Sequence, residues 1–305
     1  MCGPATFFIG REFGYPVSHQ IAVGRRKAIL AGLAVLFLAL FVYSAIIHPL
    51  LESFVSLPQI PGGIGIKTIL MMSFSLIHAW YALGWKRALT FFAITALVSW
   101  GFEQVGVETG AIYGKYHYTD VLGTKLGHVP IIIPIAWFMM IYPSFVIASL
   151  ITFASISKNR NRISQIICLS IVSAVVMTAW DLVIDPYLSG PTQMAWVWES
   201  EGQYFGVPLQ NFAGWVLTTF TIYFLYLLFE RKTTRHSSSL TKRIMVMPVL
   251  AYGIMMISNI VPGEPSALRF IGPVVMGIPL GIALWRLLVD QNLRTSPDTG
   301  EIGKK

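Results

Sequence analysis

Four acidic side chains stand out in a chain that is 55% hydrophobic and only 12% charged: Glu103, Glu108, Asp181 and Asp185. Each lies inside or just beyond an apolar run. Trp100 and Glu103 are three residues apart and share a helix face; Asp181 and Asp185, four apart, share another. An ionised carboxylate at such depth costs about 2–3 kcal/mol on insertion scales, so these groups are expected to face a bundle interior, where desolvation favours the neutral acid. Neutral carboxylic acids donate protons, and a neighbouring carboxylate can orient or deprotonate water. The competing reading makes them water-accessible residues at helix ends, with Pro186 ending the second helix directly after Asp185. Around them stand Trp100 and Trp180, together with Tyr113, Tyr116, Tyr118, Trp196, Trp198 and Tyr204, of which an interfacial aromatic belt would explain about half of the latter six.

Other chemistries fit poorly. The six histidines are scattered, and Cys2 and Cys168 lie far from any ligand cluster, so no metal is expected. The stretch DLVID has the spacing of half a prenyltransferase motif, yet no Arg or Lys nearby would neutralise a diphosphate. The excess charge of +8 sits in short loops, where it signals topology rather than nucleic-acid binding.

The elements that must position these residues are membrane spans. Hydropathy predicts an all-α polytopic bundle of about eight, near 28–50, 66–84, 88–104, 129–153, 163–185, 209–229, 244–262 and 270–289. They form one transmembrane domain over 28–289, flanked by a cytoplasmic segment, 1–27, and a polar cytoplasmic tail, 290–305. Alternate loops carry 18 of the 22 basic residues, leaving only Lys67, Lys115, Lys125 and Arg269 on the other side. The positive-inside rule then puts both termini in the cytoplasm of a plasma-membrane protein and the acidic segments outside. Two of those segments have matching spacings. Trp100 and Trp180 each precede a glycine by ten positions, Gly110 and Gly190. Each segment closes on Val-Pro (Val129-Pro130, Val207-Pro208), with Trp137 and Trp215 seven residues beyond the proline. A parallel internal repeat of spans 3–4 and 5–6 would place a site at the shared interface.

Assembled, these residues resemble the carotenoid hydratase family of the CruF type. The likeness lies in Glu103, Glu108, Gly110, Gly114, Tyr116 and Tyr118, then in LG…HVP…P-x-AW up to Trp137, and in WDLVIDP…W-x-W…YFGVPLQNFAGW from Trp180 to Trp215. The resemblance implies a hydro-lyase that adds water to the terminal double bond of an acyclic carotenoid, C40 or C50, giving a tertiary alcohol. It implies no cofactor. Its partners would be the carotenoid, water, membrane lipid and other membrane enzymes of carotenoid biosynthesis. The residues suit that chemistry. Asp181 or Glu103 would donate the proton, with Asp185 and Glu108 positioning water. The aromatic residues would line the end-group pocket and steady the carbocation by cation–π attraction. Asn211 would hold the new hydroxyl. Two alternatives stay open: a cyclase working through the same cation, and a non-enzymatic isoprenoid transporter.

Overall fold

The computed structural model describes residues 17–153, 162–233, 242–261 and 264–293. Most of the expected N-terminal segment and tail (1–16 and 294–305) therefore lies outside the described residues. Helix α1 (Val17–Val42) passes through a π-helical turn, Tyr43–Ile47, into the short α2 (His48–Leu51). There follow α3 (Gly63–Leu83), α4 (Trp85–Thr109), α5 (Ile132–Phe153), α6 (Ile163–Leu188), α7 (Leu209–Thr233), α8 (Lys242–Ile260), α9 (Leu268–Val275) and α10 (Gly277–Leu293). Among the described residues, seven helical stretches are long and apolar enough to cross a membrane, and an eighth, Met245–Ile260, is apolar but shorter. The protein is an all-α, multi-pass bundle. In lipid no water pairs with the backbone, so each span must satisfy its own N–H and C=O groups as a helix.

Helix α5 is apolar on every side and fills the centre, packing on α3, α4, α6, α8 and α10. Pro143, Pro186, Pro248 and Pro273 lie inside described helices, and at the first two a side chain repairs the gap in the helical ladder. Pro143 in α5 has no N–H for the carbonyl of Met139, which instead accepts from Ser75 Oγ of α3 at 2.8 Å. Pro186 likewise frees the carbonyl of Leu182, and Tyr204 donates its hydroxyl there at 3.0 Å. Pro186 was expected to end its helix. With the orphan carbonyl satisfied, α6 instead continues to Leu188. Two further stitches, Tyr223 to Ile141 O at 2.9 Å and Tyr252 to Val176 O at 2.8 Å, join α7 to α5 and α8 to α6.

At one end of the bundle the connections after α4 and α6 meet. Strand β1 (Tyr116–Tyr118) pairs antiparallel with β4 (Trp196–Trp198), setting Tyr116 opposite Trp198, His117 opposite Val197 and Tyr118 opposite Trp196. A second ribbon, β2 (Lys125–Leu126) with β3 (Val129–Pro130), folds back on α4. Gln104 braces it by donating to Leu126 O and accepting from His128 N at 3.1 Å. Helix α4 closes on Gly110, whose φ of +68° few other residues adopt without strain.

Candidate active site

Beneath the β1–β4 clasp lies a cavity between α3, α4, α5, α6 and α7. Its wall is largely aromatic, built from Tyr113, Tyr116, Tyr118, Trp137, Trp180, Trp196, Trp198 and Trp215, and it carries the carboxyl groups of Glu103 and Asp185.

Glu103 projects from α4 and is 5% exposed. Tyr116 and Tyr118 both donate to its Oε2, Tyr118 at 2.8 Å, and Trp137 Nε1 donates to Oε1 at 3.3 Å. The alternation of strand β1 turns both tyrosines inward and leaves His117, between them, outside. Burial first, and the adjacent Glu103 second, push both phenols well above their ordinary value, so each stays a proton-bearing donor. Tyr113 lies alongside, its hydroxyl 2.7 Å from Thr218 Oγ1. Its ring is gripped by two glycines: a Cβ on Gly106 would come within 2.6 Å of it, and one on Gly214 within 2.5 Å.

Across the cavity, Asp185 is 2% exposed and accepts from Trp196 Nε1 at 3.0 Å. The amide of Asn211 donates to Asp185 Oδ2 at 2.6 Å and to Asp181 Oδ2 at 3.1 Å, tying the two aspartates together. Asp181 is fully buried but does not line the cavity; it stands behind Asn211. Among the described residues, Asp181 Oδ1 and the indole N–H groups of Trp180 and Trp198 have no hydrogen-bond partner. Both tryptophans line the cavity, although their indole nitrogens are themselves buried.

These features sit within the stretch of sequence that matches a known family. The carotenoid biosynthesis protein family matches residues 63–284, well over half of the chain. The chain belongs to that family. Bisanhydrobacterioruberin hydratase of Haloarcula japonica is 33% identical over 150 residues, 48% of this chain and 47% of that protein. The match thus spans about half the length of that curated relative. No solved structure matches.

In this carotenoid biosynthesis protein, three residues expected at the site, besides Asp181, do not line the cavity. Glu108 is exposed near the end of α4 and does not line the cavity, because five residues on from Glu103 the helix has turned well past its face. Trp100 donates to Leu126 O at 3.2 Å and holds the β2–β3 ribbon. Tyr204 is used in repairing the α6 ladder, and both are outside the cavity lining. Conversely, Trp137 and Trp215 stack at 4.1 Å on the cavity wall. The sequence marked them only as landmarks of the repeat, although their symmetric position was the available signal.

Proposed function

We propose that this protein hydrates the terminal double bond of an acyclic carotenoid. The observation that carries this reading is two buried carboxyl groups, Glu103 and Asp185, set into one aromatic cavity at the end of a lipid-embedded bundle. Family membership supports the substrate class, and the likeness to a hydratase over half its length supports the reaction.

The alkene needs a proton on its less substituted carbon, and the tertiary cation so formed needs water. Asp185 faces the cavity with Asp181 tied to it through Asn211. Two carboxyl groups that close do not readily both ionise, so the pair holds a proton, which Asp185 delivers. The cation then lies among Trp180, Trp196, Trp198 and Tyr116, whose π-faces attract it without forming a bond. Water adds to the tertiary carbon from the side of the cavity that Glu103 lines. Its spare proton passes to Glu103, whose oxygens are fixed by three donors, and returns through solvent to the aspartate pair. The result is one C–H, one C–O and one O–H bond from alkene and water, with no redox change. Asn211 is placed to meet the hydroxyl.

The parallel repeat belongs to the same proposal. It is supported by the antiparallel pairing of β1 with β4 and the stacking of Trp137 on Trp215, where matched positions of the two halves meet each other. The basic-loop asymmetry favours a plasma-membrane location with both termini cytoplasmic, which reporter fusions after Arg235 and Thr192 would check by falling on opposite sides.

The reaction is tested with purified protein and an acyclic carotenoid in heavy water and ¹⁸O-labelled water. The product should gain one water, with one deuterium beside the new alcohol and the label in its oxygen. An unchanged mass with a new ring would make the protein a cyclase. Oxygen drawn from O₂ would make it a hydroxylase, and substrate returned intact would favour the transporter.

A further inference from the structure

At the end of the bundle opposite the β1–β4 clasp, α3 passes into α4 through a single residue, Gly84, at a φ of +86°. That turn sets Trp80, in the last turn of α3, near Trp85, the first residue of α4. Leu76 lies one turn before Trp80 and Leu89 one turn after Trp85. Each helix therefore presents a tryptophan and, about 5.4 Å deeper, a leucine on the same face. These four residues, with Ala88 and with Arg26 of α1, line one groove. Ala88 is buried at its floor, whereas Trp80, Trp85 and Leu89 are exposed. The candidate spans of α1, α3 and α4 all terminate at this end. Arg26 and the tryptophans thus lie at the depth of lipid headgroups, and the leucines at that of acyl chains.

The groove is basic as well as apolar. The Arg26 guanidinium stands over the Trp80 ring at 5.1 Å, and the Lys86 ammonium over the Trp85 ring at 5.5 Å. Each ring steadies a cation at the rim without neutralising it. No acidic side chain lines the groove. Neighbouring Arg87 differs, because Glu230 pairs with it at 3.9 Å. Interfacial tryptophans and lysines are common singly. Here Arg26 reaches across from another helix, so that cation, rings and apolar floor belong to one groove between three helices. We propose that this groove binds an anionic phospholipid, its phosphate between Arg26 and Lys86 and an acyl chain over Leu76, Ala88 and Leu89. Basic pockets between spans take such headgroups, whereas a zwitterionic headgroup would bring its own cation against Arg26. The site is independent of the aromatic cavity and of the reaction proposed for it. A lipid held there joins α1 to α3 and α4, bracing the helix that carries Glu103.

The test uses the full chain, purified in a mild detergent and freed of lipid. It is titrated with phosphatidylglycerol or phosphatidylcholine of identical acyl chains, and thermal unfolding reports binding to the folded state. Phosphatidylglycerol should bind about tenfold more tightly, because two bases meet its net charge. Arg26→Gln combined with Lys86→Gln should reduce its affinity to that of phosphatidylcholine. An unchanged response to phosphatidylcholine reports that this variant is folded. Arg25→Gln combined with Lys27→Gln removes the same charge from exposed positions outside the groove and should keep the preference. Equal affinities for the two lipids in the unaltered protein overturn the proposal, as does a preference that survives the Arg26 and Lys86 substitutions. A preference lost equally in both double variants also overturns it, since the attraction then belongs to the surface charge at large. So does glycerol phosphate stabilising the protein as well as phosphatidylglycerol at the same concentration, which makes the ligand a soluble anion.

Discussion

The division of labour proposed for the three buried acids rests on which side chains reach the cavity. Asp185 and Glu103 line it; Asp181 touches it only through Asn211. In the proposed mechanism Asp185→Asn removes the proton that reaches substrate, and it should lower turnover by about 10²-fold or more, the low end of general acid catalysis. Glu103→Gln should cost a similar factor by removing the acceptor for water's proton. Asp181→Asn leaves Asp185 on the wall and should cost less. Steady-state rates with one polyene rank the three, and an unimpaired Asp185→Asn beside an inactive Glu103→Gln would return the donor role to Glu103. The sequence made all three conspicuous, because a carboxyl group is costly to insert within an apolar run. It did not separate Asp181 from Asp185: four residues apart they share a face, and only the position of Asn211, on another helix, decides which meets the cavity. Trp137 and Trp215 were obscured for a related reason, since tryptophan near a span end reads first as an interfacial residue.

At the scale of elements, the site depends on a helix that continues through its proline. Asp185 immediately precedes Pro186, and the last turn of α6 holds because Tyr204 satisfies the Leu182 carbonyl. Tyr204→Phe leaves that carbonyl unpaired and should destabilise the protein by about 1–3 kcal/mol, with reduced turnover as Asp185 shifts. Pro186→Ala restores the missing N–H. In that background Tyr204→Phe should cost markedly less, and thermal unfolding of the four proteins in a double-mutant cycle measures the difference. Equal costs in both backgrounds would mean that Tyr204 acts on something other than the ladder. The spans themselves were legible because helix is the hydrogen-bonding solution an apolar run of this length has in lipid. The repair was not legible: a proline predicts a break locally, whereas its rescue comes from a tyrosine eighteen residues on, in a loop whose path no periodicity encodes.

For the whole molecule, the question is how a lipid-dissolved chain end enters a cavity roofed by the β1–β4 clasp. The clasp is held by paired backbone and by Thr119, whose hydroxyl donates to Met194 O at 2.7 Å, while a second cavity, lined by residues of α1, α3, α6 and α8, shares Thr68, Trp180 and Leu188 with the first. Entry from the side between helices leaves the roof closed throughout; entry from above would require it to open. The two routes separate in a variant with His117 and Val197 both changed to Cys, in a background carrying Cys2→Ser and Cys168→Ser. Antiparallel partners lie about 4.5–5.5 Å apart at Cα, within the span of a disulfide, so oxidation should lock the roof. What is lost is an exposed His117–Glu199 contact at 3.2 Å, worth little at the surface. Lateral entry predicts that the oxidised protein keeps its turnover within about twofold of the reduced one, since product release on the same path also avoids the roof. A loss of turnover on oxidation that reductant reverses would identify the clasp as the door, and would place the substrate's approach on the water side of the bundle instead of within the bilayer.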